Sequence, residues 1–165
     1  MKNTTKTDEL LKELEESSSE YLKNLGTFQF KIETCKLIDH YYSKKDLHCA
    51  VENHPIVEVY VIQDSHDNTY NIGNCCINRI TSKPVKKWYE LYHQRKINLQ
   101  KNRDLIDFTE EFLDHYDKGD FKREPKAINL ERVKTTYKRM CDGSKPTKTQ
   151  WRLIDWYIRN KTLYY

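Results

Sequence analysis

Residues 49–76 read Cys49-Ala50-Val51-Glu52-Asn53-His54-Pro55-Ile56-Val57-Glu58-Val59-Tyr60-Val61-Ile62-Gln63-Asp64-Ser65-His66-Asp67-Asn68-Thr69-Tyr70-Asn71-Ile72-Gly73-Asn74-Cys75-Cys76. The run 56–63 is rich in β-branched and aromatic residues, which suit a pleated, half-buried surface, and it predicts a strand. Asp64 to Asn68 is turn chemistry, because short polar side chains bond to their own backbone. Residues 69–72 then return as the second strand of a hairpin. Gly73 allows a sharp turn there, and a short helix is expected over 75–81.

Working upstream, residues 27–34 alternate strictly, with Phe28, Phe30 and Ile32 on one face, as in a half-buried strand. Residues 36–47 carry no clear period. Residues 7–25 predict an acidic helix capped by Thr7 and stopped at Gly26, with Leu10, Leu11, Leu14, Leu22 and Leu25 as its apolar stripe. Downstream, a basic helix is expected from about 84 to 101. Leu105, Phe108, Phe112, Leu113 and Tyr116 mark a helix ended by Gly119, and Leu130, Val133, Tyr137 and Met140 mark another. The last helix spans 148–160, with Thr147 and Gln150 as a capping box. Its expected apolar face is Trp151, Ile154, Trp156, Ile158 and Leu163. The predicted fold class is α+β: a short antiparallel hairpin with a knuckle-like treble-clef element and a mostly helical C-terminal half. It divides into an acidic helical arm (1–25), a knuckle, hairpin and basic helix (26–103), and a helical region packed on the same domain (104–165).

Composition narrows the function classes. Four glycines leave no room for a Gly-rich phosphate loop or a dinucleotide fingerprint. No long uncharged apolar run is present, so no membrane span is expected. The stretch Met1–Lys6 leads into acidic residues rather than an apolar run, unlike a secretory leader. Together with an odd count of five cysteines, that points to an intracellular, reducing setting in which thiols or metal ligands are expected rather than disulfides. The net charge of +4 hides strong blocks: +7 over residues 79–103, −6 over 104–121 and +8 over 122–165. Such blocks build local fields for anionic partners, or pair with one another across solvated faces. Abundant Lys, Asn, Ile and Tyr fit an AT-rich coding sequence.

Structural zinc requires four convergent N or S ligands. Cys49 and His54 precede the hairpin, and Cys75 and Cys76 open the helix after it, where free amides favour thiolate. The order from Cys49 through Val57-Glu58-Val59-Tyr60-Val61-Ile62 to Gly73-Asn74-Cys75-Cys76-Ile77 resembles a small zinc-binding module of large AT-rich DNA viruses and phages. The resemblance covers residues 49–80 and implies bound Zn, a treble-clef or ribbon fold, and a place among viral nucleic-acid or assembly proteins. Glu52 stands where the module has its second knuckle cysteine. The expected ligand set is therefore Cys35, Cys49, His54 and Cys76, with His48 or Cys75 as substitutes. The competing expectation is that these cysteines are small buried hydrophobes.

The leading expectation is a non-enzymatic, zinc-knuckle protein that binds nucleic acid or a nucleic-acid-handling complex, with Lys83, Lys86, Lys87, Arg95 and Lys96 as the first basic candidates. The alternative is a virion structural or protein-interaction component without metal. A third, an HNH-like metal nuclease, lacks a histidine on the helix after the hairpin, and a turn accounts for Asp64–Asn68. The last two helices can also be read as a helix-turn-helix with Lys145, Lys148, Thr149 and Arg152 toward phosphates. An ordinary helical hairpin with Trp151, Ile154 and Ile158 inward is the preferred form of that region.

Overall fold

The computed structural model describes residues 4–164. In chain order the elements are α1 (Lys6–Leu25), β1 (Thr27–Phe30), β2 (Glu33–His48), β3 (Pro55–Asp64), β4 (Thr69–Gly73), α2 (Asn74–Thr81), α3 (Val85–Lys101), α4 (Arg103–Lys118), α5 (Ala127–Cys141) and α6 (Lys148–Arg159), followed by a 3-10 turn at Lys161–Leu163. The architecture is α+β, with the helices concentrated in the C-terminal half. The elements pack as two units: Glu16–Leu91, and Met1–Glu15 together with Tyr92–Tyr165. Their boundaries fall inside α1 and α3.

Residues 16–91 carry an antiparallel meander in the order β1-β2-β3-β4. The expected hairpin is β3–β4, pairing Val59 with Gly73 and Gln63 with Thr69. Two features differ from the sequence expectation. The alternating run 27–34 is not one strand: Lys31 adopts φ 55 and turns the chain, so Phe28 pairs with Cys35 and Ile32 stands 92% exposed at the turn. The segment without a clear period is β2, whose pairing with β3 shifts register between Leu37 and Asp39 and again between Tyr42 and Leu47. Each irregularity resets the side-chain alternation, which removes the period-2 signal.

The hairpin turn is held by Asp64. Its carboxylate accepts the backbone amides of His66 and Asn68 at 2.9 Å each, the Asn68 side-chain amide at 3.0 Å and the Tyr70 hydroxyl at 3.0 Å. The Asn68 amide leads, against burial, and with the other donors it holds the carboxyl down to about 2. An unfolded aspartate titrates near ~3.9. Asp64 therefore contributes stability that is present above about pH 4 and is lost as pH falls toward 2. Thermal melts of the natural chain and of Asp64→Asn should differ most near neutrality, and the gap should close between about pH 4 and pH 2. A gap that is constant across that range would show that the charge of Asp64 is not the stabilising feature.

Beside the hairpin lies a polar cluster. The side chain of Glu58 is 10% exposed and that of His40 is 0% exposed, with 3.2 Å between Glu58 Oε1 and His40 Nε2. Oε1 also accepts the Tyr60 hydroxyl at 2.8 Å, and Oε2 accepts the Asn74 side-chain amide at 3.0 Å. Asn74 is the first residue of α2, so Glu58 ties the start of that helix to β3. Burial pushes the Glu58 carboxyl up, but the bonds from Tyr60, Asn74 and His40 outweigh it and leave it below the usual range. His40 stacks on Tyr89 at 4.2 Å, and Tyr21 stacks on Trp88 at 3.9 Å.

In the helical unit, Leu10, Leu14, Leu99, Leu105, Ile106, Met140 and Ile154 form one buried cluster, and Phe112, Leu130, Val133, Tyr157 and Tyr164 form another. The N-terminal helix is thus part of a core, through Leu10 and Leu14. Its start is capped by Thr5, whose hydroxyl accepts the Asp8 amide at 3.3 Å while the Asp8 carboxylate accepts the Thr5 amide. Thr7, the expected cap, instead donates its amide and hydroxyl to Asp107, each at 2.9 Å. The capping box of Thr147 and Gln150 at the start of α6 is present as expected. The inward face of α6 is Ile154 and Tyr157, with Leu153 and Ile158 partly buried against the same clusters. Trp151, Trp156 and Leu163, expected on that face, are 44%, 47% and 49% exposed.

Candidate functional site

At the knuckle, Cys49 is buried, and the Gly73 amide lies 3.3 Å from its sulfur. Gly73 has almost no room beside it: a Cβ there would sit 2.8 Å from Ile56 Cγ2 and 3.2 Å from His54 Nε2. Burial opposes ionisation of Cys49, yet the amides of Gly73, Glu52 and Val51 and the thiol of Cys76 together draw it below its ordinary value. The neighbouring Cys76 is pushed up to about 11, first by burial and then by Cys49 and Glu52. Of the two sulfurs, Cys49 is the more readily ionised.

The cation beside these sulfurs is a side chain. Arg79, one turn along α2 from Cys76, places Nη2 2.5 Å from Glu52 Oε1 and 3.5 Å from Cys76 Sγ. Glu52, at the missing cysteine position, is bound to this guanidinium and also lies 3.4 Å from His54 Nδ1. The expected ligand set does not converge. Cys49, His54 and Cys76 border the same turn, whereas Cys35 pairs opposite Asp64 at the far end of β2 from His48. Of the substitutes, Cys75 is exposed and bonds Asn74, and His48 lies 4.0 Å from Asp46. Among the described residues no group of three or more His, Cys, Asp or Glu side chains is placed to hold a metal ion. Cys35 therefore does not join Cys49, His54 and Cys76 around one point.

The five basic residues singled out in the sequence divide between the two units. Lys83, Lys86 and Lys87 belong to the sheet unit, and Arg95 and Lys96 to the helical unit. Four of them have structural roles. Lys83 Nζ donates to the carbonyl of Leu25, the last residue of α1, at 2.9 Å. Lys86 lies 3.8 Å from Glu90, and Lys96 lies 3.1 Å from Glu15. Arg95 packs its stem against Gly143 and buries Nε without a hydrogen-bond partner. Lys87 is exposed and makes no hydrogen bond or ion pair with a described residue.

A different set of cations converges within the helical unit. The end of α3, Asn102, the α5–α6 connection and the first two turns of α6 enclose a groove of 630 Å³. Its lining includes Lys101, Lys145, Lys148 and Arg152, the amides Gln94, Asn98 and Asn102, and the ring of Trp151, with no carboxylate among the described residues. None of the four cations is in an ion pair with a described residue, and all four are exposed. The connection is fixed from below: Asn98 Nδ2 donates to the Gly143 carbonyl at 2.7 Å, and Gly143 adopts φ 77 directly over Arg95. Like charges held close and unneutralised raise the local potential for an anion. Lys145, Lys148 and Arg152 follow each other at spacings of three and four residues, which is the visible sequence signal. Lys101 is remote in sequence and joins them only through the fold.

No helix among the described residues is long and apolar enough to cross a membrane. The chain matches no protein-family model, no curated protein and no solved structure.

Proposed function

We propose that this is a non-enzymatic nucleic-acid-binding protein that engages phosphates through the groove of Lys101, Lys145, Lys148 and Arg152. The observation that carries the proposal is four exposed cations around one groove, with no ion pair to a described residue and no carboxylate among the described lining residues. Phosphate contacts of this kind supply most of the affinity of nucleic-acid binders and release counterions. The resemblance of residues 49–80 to a viral zinc module agrees with a role in a nucleic-acid-handling complex. The five free thiols agree with a reducing compartment.

Binding of labelled oligonucleotides, followed by fluorescence anisotropy over a salt series, tests this. Four phosphate contacts predict a slope of log K against log salt of about −3 to −4. The double variant Lys148→Ala, Arg152→Ala should flatten that slope by about 1.5 to 2 and leave the melting curve in place, since both side chains are exposed. Absence of binding to every DNA and RNA tested at low salt would overturn the proposal, as would a variant that binds with an unchanged slope.

A further inference from the structure

Resting on that proposal, we infer that the groove takes a single strand, with one unpaired base stacked on Trp151. The three tryptophans are used differently. Trp88 stacks on Tyr21 at 3.9 Å with ring planes 4° apart, and Trp156 meets Tyr157 and Tyr164 edge-on. Trp151 makes no ring contact among the described residues, although it is a large apolar ring and 44% exposed. It sits in the groove lining, with Lys148 and Arg152 within one turn of it on α6 and Lys145 on the preceding connection.

A ring inside a concave, cationic groove needs a flat partner carried on an anionic chain. In a duplex the base faces are covered by their neighbours, so a duplex offers this ring only sugar and phosphate. An unpaired strand offers a free base face with a phosphate on each side, which matches one aromatic among several cations. The Asn102 carboxamide, also in the lining, makes no hydrogen bond to a described residue and is available to a base edge. Gln94 and Asn98 are already committed, to each other and to Gly143. Arg152 also lines a second hollow of 600 Å³ with Glu131, Arg132, Thr135 and Leu153, so the two hollows share one guanidinium.

The test compares a labelled single strand, unlabelled duplex of the same sequence, and poly-L-glutamate as competitors for the full chain at low salt. The single strand should bind about 10-fold or more tightly than the duplex, and poly-L-glutamate should compete weakly. Trp151→Ala should weaken single-strand binding by about 5- to 100-fold and remove the largest part of the fluorescence quenching on binding. Trp151→Phe should restore most of the affinity, and duplex affinity should stay the same in both variants. Equal affinity for both strands with no effect of Trp151→Ala would overturn the single-strand inference and leave phosphate binding standing. Competition by poly-L-glutamate as strong as by the oligonucleotide would overturn recognition of nucleic acid itself, and so would a failure of both strands to bind.

Discussion

Glu58→Ala is expected to remove about 3 kcal/mol of unfolding free energy, read from denaturant melts, although Glu58 sits in a strand where alternation marks it as a polar, outward residue. The carboxylate is the common acceptor for Tyr60, His40 and Asn74. Truncation leaves the Tyr60 hydroxyl without this acceptor on a residue that is 0% exposed, and it removes the carboxylate that faces the enclosed His40 ring. Breaking one member of such a buried set costs about 3–5 kcal/mol, because the desolvated partners lose their compensation. For a chain of this size that corresponds to a fall in melting temperature of about 6–12 °C. Glu58→Gln keeps an acceptor for Tyr60 and should lose clearly less. A loss below about 1 kcal/mol in Glu58→Ala would mean that water replaces the carboxylate without penalty.

Gly143→Ala is the second large effect. The residue occupies φ 77, where a Cβ is disfavoured by about 1 kcal/mol or more. The added carbon would also fall 2.2 Å from Arg95 Cγ and 3.1 Å from Arg95 Cα. Relief requires the Arg95 stem to move and the backbone of α3 to yield, an overpacking cost of about 1–3 kcal/mol. Together these predict a loss of about 2–4 kcal/mol, measurable by chemical denaturation. Gly119→Ala is the control: it shares the positive φ but meets nothing within 4 Å, so it should show only the conformational part. Equal losses at the two positions would remove the packing argument. If the groove binds as proposed, Gly143→Ala should also weaken oligonucleotide binding, because Lys145 and Lys148 hang from this connection.

Local patterns were legible where one physical signal acted alone. The β3–β4 hairpin follows from β-branched residues flanking an Asx-type turn, and the α6 start follows from the Thr147–Gln150 box. Legibility failed where a second effect intervened. β2 hid because its two register shifts cancel the alternation of Leu37, His40 and Tyr42. Residues 27–34 misled because Lys31, not a glycine, takes the positive φ that turns the chain. On α6 the size of Trp151 argued for burial, yet Tyr157 is the ring that fills the core. The candidate groove was half visible, since Lys145, Lys148 and Arg152 are neighbours in sequence and Lys101 is not. The knuckle was visible as order, but only the fold shows Arg79 paired with Glu52 beside Cys76.

The division of the chain into Glu16–Leu91 and a unit assembled from Met1–Glu15 with Tyr92–Tyr165 carries a consequence for biogenesis. Synthesis runs from the N-terminus, so the meander, whose strands pair only with neighbours in sequence, has all its partners early. Leu10 and Leu14 precede in the chain the residues that cover them, Leu99, Ile106, Met140 and Ile154. Until those later helices are made, Leu10 and Leu14 lack the side chains that bury them in the folded unit.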